Sequence, residues 1–211
     1  MSDVAVPIVF PDYLIRVDIP RVSVDVPDWI PGIPNHITIP GTTNRVPYLG
    51  HAGILFFNGR GSTKYYEYGR YDRANLGLVR RHPIRDIRIR QNGQPTLESL
   101  RAVLQQISQL AGQGGRITGA YIELTTTGAF GRMLVYAESR MRENTNPHRT
   151  PYDLISNSCL HFMKQIAEAG GARMPSIVDP RPAGYMDRVR SSFPDLDYQS
   201  NTLNIEGIRL Q

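Results

Sequence analysis

The sequence predicts an α+β fold: an antiparallel sheet with flanking amphipathic helices, preceded by a proline-rich extended arm. Three observations carry that expectation. Eight of the sixteen prolines fall within residues 1–47, a density that forbids helix and central strand. Residues 51–70 read as two strands joined by a turn-rich segment. Three later segments repeat apolar residues at helical spacing.

Residues 1–47 are expected to form the arm and residues 48–211 the main domain. Between its prolines the arm alternates, in Tyr13–Ile19 and Val22–Val26, as an edge strand or polyproline-like chain does. Such an arm either wraps its own domain or docks elsewhere, and Trp29, the only tryptophan, reads as a packing anchor within it. His51–Phe57 is then a strand, Asn58–Ser62 a turn, and Thr63–Arg70 the returning strand. With the turn centred on Gly59, paired positions sum to 118, which places Glu67 directly opposite His51. Side chains so placed lie about 5 Å apart on one face. A register shifted by two places Tyr65 or Gly69 there instead.

Val79–Ile89 reads as a further strand region, ended by the turn pair Asn92-Gly93. Pro95-Thr96 opens a helix with Leu97, Leu100, Leu104, Ile107 and Leu110 on one face and Gly112 as its stop. Ile117–Thr125 reads as a strand and Phe130–Arg142 as a second amphipathic helix. From Cys159 to Ala169 apolar residues again recur at helical spacing, with Asn157 and Ser158 as capping residues and Gly170-Gly171 as the stop. A short helix around Tyr185–Arg190 and a strand-like stretch at Leu203–Ile208 follow.

A composition of 40% hydrophobic and 20% charged residues is that of a globular protein. No apolar run approaches the roughly 20 residues that cross a bilayer. The first residues lack a basic region followed by an apolar one, so the expectation is synthesis in the cytoplasm without a signal peptide. A single cysteine excludes an intramolecular disulfide, and His36, His51, His82, His148 and His161 show no metal-ligand spacing, so no zinc and no cofactor are expected. The net charge of +5 favours anionic partners such as acidic headgroups or cell-wall polymers. The five arginines of Arg80–Arg90 alternate with apolar residues, which suits a strand with one solvated face and not a nucleic-acid site.

The candidate chemistry centres on Cys159. A thiol in the first turn of a helix meets unpaired backbone N–H groups and the positive end of the helix dipole, both of which favour thiolate. The competing reading is a small buried hydrophobe, and a nearby base decides between the two. His51 is the candidate base, Glu67 the carboxylate that would orient it, and Tyr65 stands in reserve. His161 lies about 200° round the helix from Cys159, which suits a packed or partner-bonded histidine and not the base. His36, His82 and His148 are left unassigned.

In this chain a histidine strand (Gly50-His51-Ala52-Gly53-Ile54) and its neighbour (Tyr65-Tyr66-Glu67-Tyr68-Gly69-Arg70) precede the cysteine helix (Asn157-Ser158-Cys159-Leu160-His161-Phe162). That order resembles the circularly permuted branch of the NlpC-like papain-fold superfamily, which includes the lecithin:retinol acyltransferase group and toxin domains of type VI secretion effectors. The resemblance covers about residues 48–172, and it departs from the acyltransferase pattern where Ser158 intervenes between Asn157 and Cys159. It implies a permuted papain-like fold with Cys159 as nucleophile, His51 as base and Glu67 as orienting residue, the oxyanion being met by the Cys159 backbone N–H. It further implies an antibacterial amidase or endopeptidase acting on peptidoglycan in the periplasm of a target cell, with a delivery partner in the secretion machine and an immunity protein. The same triad would serve a phospholipase or acyltransferase on membrane lipids, with hairpin aromatics such as Tyr65 and Tyr68 lining the approach. A third reading is a non-catalytic module that docks through residues 1–47.

Overall fold

Val4 to Phe10 are all buried, with Val4, Val6, Ile8 and Phe10 in one apolar cluster and Ala5 and Val9 in another. A strand apolar on both faces belongs in the middle of a covered sheet, and that is where the computed structural model places it. The structure describes residues 2–17, 22–25, 36–39, 44–46, 50–72, 76–208 and 210. Its strands are β1 (Asp3–Phe10), β2 (Ile15–Val17), β3 (Val22–Asp25), β4 (His36–Ile39), β5 (Asn44–Val46), β6 (His51–Phe57), β7 (Thr63–Gly69), β8 (Leu78–Arg81), β9 (Ile117–Ala120), β10 (Ile122–Leu124), β11 (Asp195–Gln199) and β12 (Thr202–Ile205). Its helices are α1 (Leu97–Ala111), α2 (Ala129–Arg142), α3 (Cys159–Ala169) and α4 (Pro182–Arg190).

The main sheet is antiparallel, in the order β12-β11-β9-β1-β6-β7-β8, with β10 pairing β1 beside β9. The α+β class is therefore as expected, but the boundary at residues 47/48 is not. Residues 3–10 form a central strand, the position that proline density argues against. Pro7 is accommodated because it lies opposite the break between two ladders, one ending at Ile8↔Gly119 and the other beginning at Ala5↔Ile122. Its missing N–H falls in that gap, where a proline interrupts least. The same break splits the expected Ile117–Thr125 strand, and the Tyr121 N–H turns aside to Pro194 O.

Elsewhere in the expected arm, β2 pairs β5 and β3 pairs β4, both antiparallel, and the residue numbers of every pair sum to 61. The two ladders thus share one hairpin register between β1 and β6. Trp29 lies outside the described residues.

Helices cover both faces of the sheet. On one, α1 buries Leu100, Val103, Leu104 and Ile107 against the odd-numbered side chains of β6. On the other, α2, α3 and α4 bury Met133, Phe162, Ile166 and Tyr185 against the even-numbered ones. Thr96 caps α1 by accepting the Ser99 N–H at 3.3 Å, and Gly112 ends it, both as predicted, although Leu110 is 49% exposed and not on the buried face. The expected strand over Val79–Ile89 shortens to β8, because Pro83 cannot donate to a ladder. The chain beyond packs over the β6–β7 turn, with Ile87 N–H bonded to Gly61 O and Thr63 N–H to Asp86 Oδ1. Among the described residues no helix is long and apolar enough to cross a membrane.

Candidate active site

Cys159 is the first residue of α3. Ser158 precedes it with extended backbone and forms a reciprocal cap with His161: its N–H donates to His161 Nδ1 at 3.3 Å, and its hydroxyl lies 2.9 Å from the same nitrogen. His161 is thus the partner-bonded histidine that its helical position suggested. The cap fixes where the helix begins and leaves the Cys159 sulfur at its positive end.

His51 is the first residue of β6 and the Cα partner of Phe10, whose ring stacks on the imidazole at 6.1 Å. Glu67 does not sit opposite it. The pairs are Gly53↔Glu67 and Ile54↔Tyr66, the register shifted by two from the one centred on Gly59. Glu67 is therefore diagonal to His51 on the same face, and the absence of a side chain at Gly53 leaves room for the Tyr65 ring, whose hydroxyl also reaches Glu67. His51 Nε2 lies 3.0 Å from Glu67 Oε2, a diagonal contact within reach of long side chains.

The thiol and the imidazole come from opposite sides of the sheet. Cys159 belongs to the apolar cluster of α2, α3 and α4, whereas His51 stacks on Phe10 of the α1 cluster. They meet at the N-terminal end of β6, where His51 and the Ala52 backbone N–H both act on the Cys159 thiol to favour its ionised form. With Nε2 committed to Glu67 and to the Tyr71 hydroxyl at 2.9 Å, Nδ1 is the ring nitrogen available to sulfur. Tyr152 completes the surroundings, its hydroxyl 3.7 Å from Sγ and 3.5 Å from the Cys159 backbone nitrogen.

Burial shapes the charges here. Cys159 is 5% exposed, His51 6% and Glu67 2%. Burial alone would push His51 down, but its hydrogen bonds to Cys159 and Glu67 and the negative charge they carry prevail, raising it to about 10. Burial likewise opposes the Glu67 carboxylate, yet bonds from His51 and His82 hold it well below the ordinary range. The thiol is held down against burial by His51 first, then by Tyr152 and the Ala52 N–H. Opposite charges in contact therefore favour a thiolate–imidazolium pair.

The family model for the type VI secretion system effector TseH-like family matches residues 5–173. The chain belongs to that family. This effector is also similar to the crystal structure of the type VI secretion system effector TseH, at 30% identity and a TM-score of 0.72, covering 97% of this chain and 98% of that one. No curated protein matches it. Membership implies delivery by the type VI secretion machine and, as its counterpart, an immunity protein.

In the effector the two tyrosines expected to line a substrate approach are scaffold. Tyr65 is fully buried on the α1 side and donates to Glu67 Oε2 at 3.3 Å. Tyr68 is 3% exposed on the other side, accepts the Asn157 amide at 2.9 Å and packs on Tyr152 and Phe162. Neither faces a ligand, because alternation sends them to opposite buried faces and both faces are covered. Asn157 braces the chain before α3, donating also to Pro151 O at 2.8 Å and accepting from Arg140 Nη2 at 3.3 Å.

Three residues at the site were not singled out from sequence. Tyr71, two residues beyond β7, bonds both His51 Nε2 and Glu67 Oε1. His82, one residue beyond β8, lies 3.0 Å from Glu67 Oε1. Tyr152 lies seven residues before Cys159, in a loop whose path has no periodic signal.

Proposed function

We propose that this effector is a cysteine hydrolase in which Cys159, His51 and Glu67 act as a triad on a permuted papain-like frame, and that it cleaves amide bonds in peptidoglycan. The observation that carries this reading is His51, held 3.0 Å from a buried carboxylate and electrostatically paired with the Cys159 thiol, each favouring the other's charged form. A structural cysteine needs neither partner. The reading as a docking module through residues 1–47 has less support, since residues 3–10 belong to the sheet core.

In the reaction, the Cys159 thiolate attacks the carbonyl carbon and the C=O electron pair moves to oxygen. The resulting oxyanion is met by the Cys159 N–H, which in the resting site donates to the Tyr152 hydroxyl at 3.5 Å, and by that hydroxyl as a second donor. His51 Nδ1–H protonates the leaving amine as the C–N bond breaks, giving a thioester. Water then attacks the thioester, passing a proton to His51, and the C–S bond breaks to release the carboxylic acid and restore the thiolate. Glu67 stays ionised throughout and keeps Nε2 protonated, so that Nδ1 works.

The net charge of +5 suits an amide substrate in an anionic wall polymer, as it also suits an acidic lipid surface. Digestion of purified muropeptides and of phospholipid vesicles by the intact effector, each with a Cys159→Ala control, tests it. New amine termini from muropeptides that vanish in the variant are expected. Fatty-acid or lysolipid release from vesicles instead moves the same triad to lipid, and loss of neither activity on substitution overturns the triad.

A further inference from the structure

Glu67 lies on β7 between two neighbouring strands, and it is contacted from both. On one side its Cα partner is Gly53, and the imidazole comes from His51, two residues away along β6. On the other its Cα partner is Arg80, and a second imidazole comes from His82, two residues along the chain leaving β8. The carboxylate thus accepts at Oε2 from His51 Nε2 (3.0 Å) and Tyr65 Oη (3.3 Å), and at Oε1 from His82 Nε2 (3.0 Å) and Tyr71 Oη (2.9 Å). The His51–Glu67 contact alone fixes one oxygen; the bonds to Oε1 fix the plane of the group.

We infer that His82 is a positioning residue for the Cys159–His51–Glu67 site: its Nε2–H holds Glu67 Oε1 so that Oε2 stays aimed at His51. The inference rests on the cysteine-hydrolase reading. A glutamate side chain has enough rotatable bonds to swing its carboxylate toward any vacated donor. With His82 in place that swing is blocked on the side of β8, His51 keeps its Nε2–H tautomer, and Nδ1 remains opposite the sulfur. The role depends on a donated hydrogen bond and not on a charge. The groups facing this carboxylate are His51, His82, Tyr65 and Tyr71, with the Arg80 guanidinium 3.5 Å over the Tyr71 ring.

The test is the ultraviolet absorbance of the Cys159 thiolate against pH, taken as the difference from Cys159→Ala, in wild type, His82→Leu, His82→Gln and His51→Gln. Melting temperatures are recorded alongside. His82→Leu, which fills the space but cannot donate, is expected to move the thiolate midpoint up by about one pH unit, a tenfold loss of thiolate below it. His82→Gln, a neutral donor of similar reach, is expected to restore the wild-type midpoint. A His82→Leu midpoint equal to wild type, or equal displacement in both His82 variants at equal melting temperature, overturns the positioning role. A wild-type midpoint at an ordinary thiol value of about 8.5, unmoved by His51→Gln, overturns the triad itself and is told apart by that control.

Discussion

His51 and Glu67 are diagonal neighbours across the β6–β7 ladder, not facing ones, and the imidazole meets the carboxylate past Gly53, Nε2 to Oε2 at 3.0 Å. The arrangement assigns distinct tasks to the two ring nitrogens, and the consequences can be measured.

Replacing Glu67 by Gln keeps the volume but presents an amide to donors that need an acceptor. Turnover is expected to fall about 10²-fold, the scale of general acid–base assistance. Iodoacetamide alkylation of Cys159 should show its pH midpoint rising toward that of a free thiol. An unchanged alkylation profile would remove Glu67 from the site.

The same residue gives stability a signature in acid. Burial disfavours the Glu67 carboxylate, but His51 and His82 more than offset that and lower its folded pKa. A group so depressed stabilises the fold above its unfolded pKa, about 4.3, and that contribution is lost as pH falls toward the folded value. Melting curves should therefore show wild type above Glu67→Gln at pH 7, with the gap narrowing once pH drops below about 4.3. A gap constant down to pH 3 would contradict the shift.

Position 53 leaves little room for a side chain. A Cβ there would lie 2.7 Å from Tyr65 Cζ and 2.8 Å from Cε2, in a ring that is fully buried. Gly53→Ala is expected to lower the denaturation free energy by about 1–3 kcal/mol, as overpacking does. It should also reduce turnover, because Tyr65 moves with its bond to Glu67. Chemical denaturation of the variant against wild type checks the first, and turnover of the folded fraction the second.

Tyr152→Phe removes a hydroxyl and little else. If that hydroxyl meets the oxyanion, kcat should fall about 10²-fold with KM nearly unchanged. Wild-type kcat in the variant would assign the second donor elsewhere.

Deleting residues 2–10 separates an arm from a core strand. β1 pairs β6, β9 and β10 and buries Val4 to Phe10. The shortened chain is expected to be insoluble or to lack near-ultraviolet circular dichroism, whereas removal of a docking arm would leave a folded enzyme.

What the sequence determined by itself was local. Thr96 and Gly112 delimit α1, Ser158 caps α3, and the only cysteine is thereby set at a helix start, since capping and periodicity act within a few residues. The histidine, the carboxylate and the hairpin carrying them were legible for the same reason. The tertiary structure alone decided that the proline-bearing segment at residues 3–10 lies in mid-sheet, because Pro7 is tolerated only where two partner ladders part. It also decided the register that makes Glu67 diagonal to His51, and it brought Tyr71, His82 and Tyr152 to a site assembled from both faces of the sheet. Those placements follow from tertiary packing, which joins residues of separate strands and loops whose separations along the chain follow no helical or strand period.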